Sequence, residues 1–204
     1  MNIIGLTGSI GMGKSAAARR FRELGVPVFD ADAEVHKLYA TAAVAPIEAA
    51  FPGTTGPAGV DRHKLMTILL ADPSGFKRLE QIVHPLVQAA QRDFIRTCFR
   101  ENKTATVLEI PLLFETGGEK KVDITVVVST TAEQQKQRVL ERPGMTEKKL
   151  MEILSRQMPD AEKRRRADFV VDTSMTLAAT DAQIDHLLAS ISSRVGQAYE
   201  QHWQ

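Results

Sequence analysis

The sequence is poor in the features that usually sort a protein quickly. It has a single cysteine, Cys98, which excludes an internal disulfide and leaves no cysteine spacing for a metal site. Cys98 reads as a small apolar residue on a helix. Excess charge is also missing: 26 Lys and Arg stand against 25 Asp and Glu, for a net charge of +1. That balance argues against a general polyanion-binding surface, so an anionic ligand must be met by a local cluster of positive groups. No apolar run approaches the roughly 20 residues that cross a bilayer. Met1-Asn2-Ile3-Ile4-Gly5 has no basic segment followed by a long apolar stretch, as a signal peptide would. Internal repeats and low-complexity tracts are absent too. The expectation is a cytoplasmic monomer whose partners are small molecules, not nucleic acid or membrane.

The composition, 43% hydrophobic and 25% charged over 204 residues, suits one compact domain with an insertion. Residues 2–7 read as a short buried strand, and Lys14 to Leu24 as a helix closed by Gly25. Val26-Pro27-Val28-Phe29 reads as a second strand ending in Asp30-Ala31-Asp32. Strand, helix and strand with short connections predict a parallel sheet with a right-handed crossover. From about Ala33 to Glu101 helical spacing dominates, broken at residues 52–57 and at Asp72-Pro73, with Pro85 read as starting a helix. This stretch is more than a crossover needs and reads as an inserted helical subdomain. Near-continuous apolar runs at 105–110 and 123–128 suit central strands covered on both faces. A helix over about 132–141, a break at Pro143-Gly144, a basic helical segment to Arg166, a strand at 168–172 and a terminal helix complete the order.

Between the first strand and the first helix stands Gly8-Ser9-Ile10-Gly11-Met12-Gly13-Lys14-Ser15, which fits Gly, four residues, Gly-Lys-Ser/Thr. Glycines let backbone N–H groups face a phosphate chain, and the helix N-terminus adds partial positive charge. In such a loop the lysine reaches the β- and γ-phosphates and the following hydroxyl can hold Mg²⁺. Gly8, Gly11, Met12, Gly13, Lys14, Ser15 and Ala16 are therefore the candidate nucleotide-binding residues, with Ser15 as metal ligand. The motif does not name the phosphoryl acceptor.

Carboxyl ends of parallel strands line the ligand crevice, so Asp30 or Asp32 can accept the proton of an attacking alcohol. The alternative is that one of them only caps the helix that follows. Read as extended strand, the two lie on one side and could share the site. Glu109, ending a central strand, either assists a metal ion or pairs with Lys14. Arg138 and Arg142 stand four apart, as on one helical face, and Arg142 adjoins the Pro-Gly break. A mobile segment carrying such arginines over a transferring phosphoryl group would stabilise its charge and exclude water. For the basic residues of 148–166, a solvated helix face is the competing account. Two rival functions are another small-molecule kinase with this loop and a regulatory ATPase. The helical insertion and the absence of a guanine-reading Asn-Lys-x-Asp motif speak against the second.

Taken together, these residues resemble the dephospho-coenzyme A kinase family, from about Ile3 to Asp172. The likeness is carried by the loop at 5–15, Asp30-Ala31-Asp32, Asp61-Arg62, Leu79-Glu80-Gln81-Ile82-Val83-His84-Pro85 and Pro111-Leu112-Leu113-Phe114-Glu115. Arg156-Gln157-Met158-Pro159, Glu162-Lys163 and Ala167-Asp168 complete it. The resemblance implies an α/β fold of the P-loop type, a parallel sheet flanked by helices in a single kinase domain. Its parts would be a nucleotide-binding core (about 1–32, 103–137 and 167–204), a helical acceptor subdomain (about 33–102) and a helical lid (about 138–166). It implies Mg²⁺-dependent transfer from ATP to the ribose 3′-hydroxyl of dephospho-coenzyme A, the last step of coenzyme A synthesis. Asp32 would be the base, Lys14 and Arg142 would stabilise the phosphoryl group, and Arg62, His84 and Glu115 would lie near the acceptor. The chain departs from the family pattern at Ala16 and at Thr173-Ser174-Met175, the latter on the adenine side.

Overall fold

The computed structural model describes all residues, Met1–Gln204. In chain order its elements are β1 (Asn2–Thr7), α1 (Lys14–Glu23), β2 (Val28–Asp30), α2 (Ala31–Tyr39), α3 (Val44–Ala50), β3 (Thr55–Gly56) and β4 (Gly59–Val60). There follow α4 (Arg62–Ala71), α5 (Ser74–Arg100), β5 (Ala105–Glu109), β6 (Ile124–Ser129), α6 (Ala132–Leu140), α7 (Glu147–Leu154), α8 (Asp160–Arg166), β7 (Phe169–Asp172) and α9 (Leu177–Ile191). The chain divides into two compact units: Met1–Phe29 with Ile95–Gln204, and Asp30–Phe94. The second unit thus begins and ends somewhat earlier than the segment from about Ala33 to Glu101 read from helical spacing.

The first unit is built on a five-stranded sheet of order β2-β5-β1-β6-β7. β1 pairs in parallel with β5 and with β6, and β6 in parallel with β7. All residues of β1, β5 and β6 are buried. Such strands need apolar side chains on both faces, which is why their sequences are unbroken runs and not alternating ones. Ala17, Ala18 and Phe21 of α1 and Ile184, Leu187 and Ile191 of α9 join these strands in one core. Phe21 is fully buried, and truncating such a ring costs about 3–5 kcal/mol. From β1 the chain crosses through α1 to β2 on one side of it, and from β5 it crosses back to β6 on the other side of β1. That reversal places the loop after β1 at the switch point, where sheets of this kind bind ligands.

The second unit has its own core of Leu38, Ala43, Ile47, Phe51, Leu65, Leu69 and Val83. Residues 52–57, read as a turn, hold the first strand of a small antiparallel hairpin, β3 with β4. Pro85 does not start a helix: it lies inside α5, a continuous helix of 27 residues. Proline removes one backbone donor and frees the carbonyl four residues earlier. Here both Pro85 and Gln81 are exposed, so water can satisfy that carbonyl and the helix continues.

Candidate active site

The phosphate loop joins a buried strand to a helix, and the two ends have opposite needs. Met12 turns its side chain into the core, at 3% exposure, while Ser15 is exposed. Gly13 takes the N-cap position of α1 with φ +89°, a left-handed conformation that favours glycine. A helix start leaves its first N–H groups without intrahelical acceptors, and here no side chain caps them. Those donors, with the partial positive charge of the helix end, fit an anionic phosphate chain.

Neighbouring elements hold the loop by specific bonds. Gln135 of α6 donates from Nε2 to the Ile10 carbonyl at 2.8 Å, and the Ile10 N–H donates to Gln157 Oε1 at 3.3 Å. Thr173 Oγ1 donates to the Met12 carbonyl at 2.8 Å. Arg138 donates to Thr173 Oγ1 and to the Thr173 carbonyl at 3.1 and 2.7 Å. Thr173, the first residue of the departing Thr-Ser-Met segment, is thus a buried strut of the loop. Arg138 is spent on that strut. The expectation that Arg138 and Arg142 share a helical face does not hold: α6 stops at Leu140, and Arg142 lies in the exposed turn beyond it.

The Lys14 ammonium pairs with Glu109 Oε1 at 3.3 Å, and Arg22 approaches the other oxygen of that carboxylate at 3.9 Å. Glu109 is buried at 6% exposure, so the pairing satisfies a charge that would be costly alone. Glu115 is likewise engaged. Its Oε1 accepts from the Met158 N–H at 2.7 Å and from Lys163 Nζ at 2.9 Å. Burial pushes the Glu115 carboxyl up, but the Lys163 and Met158 hydrogen bonds outweigh it and hold the group below its ordinary value.

Within the second unit, the two aspartates left open by the sequence separate cleanly. Asp30 caps α2, its carboxylate accepting from the Ala33 N–H at 2.9 Å. Asp32 is in the first turn of that helix, exposed, and so not on the same side of an extended strand. The strand ends two residues too early for that arrangement. One turn further, His36 sits on the same face of α2 as Asp32. Its Nδ1 lies 3.0 Å from Arg62 Nη1, where α4 begins behind its cap Asp61. Arginine can only donate, so His36 Nδ1 is the acceptor and its proton is on Nε2. Sequence reading missed His36, although its spacing of four from Asp32 was a usable signal. His84 is exposed on α5, amid the helix.

The model of the dephospho-CoA kinase family matches residues 2–179. The chain belongs to the dephospho-CoA kinase family. A protein named dephospho-CoA kinase from Bradyrhizobium diazoefficiens is 58% identical over 191 residues, 94% of this chain and 96% of the relative. Two solved structures are similar in fold. One, from Thermus thermophilus, has 33% identity and a TM-score of 0.78, covering 93% of this chain and 97% of its own. The other is a dephospho-CoA kinase from Campylobacter jejuni, with 26% identity and a TM-score of 0.70 over 94% of this chain and 97% of its own. As a member of a kinase family, the chain takes ATP as co-substrate. No helix is long and apolar enough to cross a membrane.

Proposed function

We propose that the chain transfers the γ-phosphoryl group of ATP to the ribose 3′-hydroxyl of dephospho-coenzyme A, completing coenzyme A. The observation that carries this reading is the family match over residues 2–179, which includes the whole phosphate loop. The free donors at the start of α1 bind the phosphate chain, and Lys14 neutralises charge on the transferring group. Phosphoryl transfer offers little covalent work to the protein, so positioning and charge account for most of the rate.

The donor set suits Mg²⁺. The chain offers the exposed Ser15 hydroxyl at the loop and no group of three or more His, Cys, Asp or Glu able to cage a metal. Mg²⁺ keeps most of its waters and takes other ligands from substrate phosphates, so one protein hydroxyl is enough. When bound it neutralises charge on the β- and γ-phosphate oxygens.

Asp32 is assigned the base. Its carboxylate is exposed and uncommitted, whereas that of Asp30 is used in capping. An alcohol acceptor must lose its proton, which a phosphate acceptor need not. Arg62, oriented by His36, and His84 are assigned to the acceptor. The segment 138–166 is assigned as a lid bringing Arg142 to the phosphates, the segment 33–102 as the acceptor subdomain, and the remainder as the nucleotide core. The enzyme is read as a cytoplasmic monomer with no nucleic-acid or membrane partner. Incubating the protein with Mg-ATP and dephospho-coenzyme A, with product identified by mass, tests the reading. Coenzyme A should form in proportion to ATP consumed; ATP hydrolysis that ignores the acceptor would sink it.

A further inference from the structure

Lys163 stands in the run Lys-Arg-Arg-Arg at 163–166, yet its side chain is completely buried. A buried ammonium is costly unless every proton finds an acceptor in good geometry. Lys163 Nζ donates to Glu115 Oε1 at 2.9 Å and to the Pro111 carbonyl at 3.4 Å. The same Pro111 carbonyl accepts from Thr7 Oγ1 at 3.1 Å, and Thr7 is the last residue before the phosphate loop. The same Glu115 oxygen accepts from the Met158 N–H at 2.7 Å. Gln157, the residue before Met158, accepts from the Ile10 N–H inside the loop. One buried ammonium therefore ties the strand end that enters the loop to the backbone position whose neighbour holds the loop's middle.

We infer that Lys163 is a positioning residue of the phosphate loop, acting through Glu115 and Met158 to seat Gln157 against the Ile10 N–H. Without this contact the Ser9–Ile10 peptide keeps only the bond its carbonyl accepts from the Met12 N–H at 3.2 Å, within the loop itself, and the one outside hold left on Ile10 is that of Gln135 on the next peptide's carbonyl. The loop's phosphate-facing donors then lose part of their preorganisation. The inference rests on the reading of the loop as an ATP site and adds a residue that does not touch the nucleotide. It also assigns the Glu115 carboxylate to Lys163, in place of the acceptor contact that the family resemblance implies.

The test is binding of Mg-ATP by calorimetry, without acceptor, to wild type, Lys163→Met, Gln157→Ala and the double variant, well below each melting point. Kinetics with dephospho-coenzyme A accompany it. Each single variant should weaken Mg-ATP by roughly three- to tenfold, the effect of one lost hydrogen bond. KM for ATP should rise in parallel while KM for dephospho-coenzyme A stays put. The double variant should be no weaker than the worse single one, because both lesions remove the same contact. If Lys163→Met does not fold, Lys163→Met/Glu115→Gln, which leaves no orphaned buried charge, replaces it in the cycle. Wild-type affinity in Gln157→Ala overturns the inference, and so do multiplicative effects in the double variant. A Lys163 variant that melts earlier but binds ATP normally shows a purely structural lysine and overturns it too. Wild-type protein that binds Mg-ATP but makes no coenzyme A would refute the proposed function alone. Failure of wild type to bind Mg-ATP would remove both.

Discussion

Gly13→Ala separates backbone strain from close packing at the phosphate loop, because Gly25 provides a matched control. Both glycines have positive φ, +89° and +76°, so alanine is strained at either position. The left-handed region costs a residue with a Cβ about 1–2 kcal/mol. Part of this is offset by the lower entropy of the unfolded chain, by roughly 0.4–1 kcal/mol. A Cβ at Gly25 meets nothing within 4 Å. At Gly13 it would stand 2.9 Å from Thr173 Oγ1 and 3.1 Å from Thr173 Cβ and Cγ2. Thr173 is buried and bonded to Met12, Ser129 and Arg138, so it cannot simply rotate away. Forcing a methyl into such a site adds about 1–3 kcal/mol. Gly25→Ala should thus cost roughly 1 kcal/mol, and Gly13→Ala roughly 2–4 kcal/mol. At about 2–4 °C per kcal/mol for a chain of this size, the midpoints fall by roughly 2–4 °C and 5–15 °C. Calorimetric melting measures both. Mg-ATP affinity should drop about tenfold in Gly13→Ala alone, since displacing Thr173 releases the Met12 carbonyl. Equal melting midpoints for the two variants would refute the packing argument.

Three further outcomes are expected. Asp32→Asn should bind Mg-ATP normally and turn over at least a hundredfold more slowly, for want of a proton acceptor; Asp30→Ala should instead lose about 1 kcal/mol of stability, as when a helix cap is removed, with a much smaller loss of turnover. Urea unfolding and steady-state kinetics distinguish them, and the reverse pattern would make Asp30 the base. Lys14→Ala should lower kcat by about a hundredfold or more and also lower the melting midpoint, because buried Glu109 loses its nearest cation; near-normal turnover would deny its role. Glu115, its folded pKa held below the ordinary 4.5, contributes stability that is complete above the unfolded value and lost as pH falls through the folded one. The gap in urea midpoint between wild type and Glu115→Gln should therefore hold near neutrality and shrink below about pH 4.5. A gap that persists undiminished into strong acid would contradict this linkage.

The parts of the molecule legible in the sequence are those whose physics is local. A strand covered on both faces must be apolar throughout, so β1, β5 and β6 announced themselves within a residue of their observed limits. The phosphate loop was legible because the chemistry belongs to backbone N–H groups and only small residues allow the required path. Reading failed where a single residue decides between two local structures. Asp30 and Asp32 share a face if the strand runs two residues further, and divide into cap and free carboxylate if it stops at Asp30. Propensity does not resolve a boundary that fine. The helical face expected to be shared by Arg138 and Arg142 failed for the same reason, since α6 ends two residues before Arg142.

A different kind of failure concerns residues whose environment is supplied by distant parts of the chain. Pro85 looked like a helix start because an interior proline is costly, but the exposure of its turn removes much of that cost. Thr173 looked like a mere departure from a family pattern, and it braces the loop through contacts some 160 positions away in the sequence. Lys163 is the sharpest case. Four consecutive cations have equal claim to solvent, and only one can face inward when the helix is laid against β6. Asp160, three residues earlier on the same side, bonds Ser129 at the end of that strand, which fixes the rotation of α8 and turns Lys163 in. The burial then makes Glu115 obligatory, because an ammonium with no carboxylate could not remain there as an ion. A charge pattern read along the chain carries none of this, since it records how many charges there are and not which one the fold has surrounded.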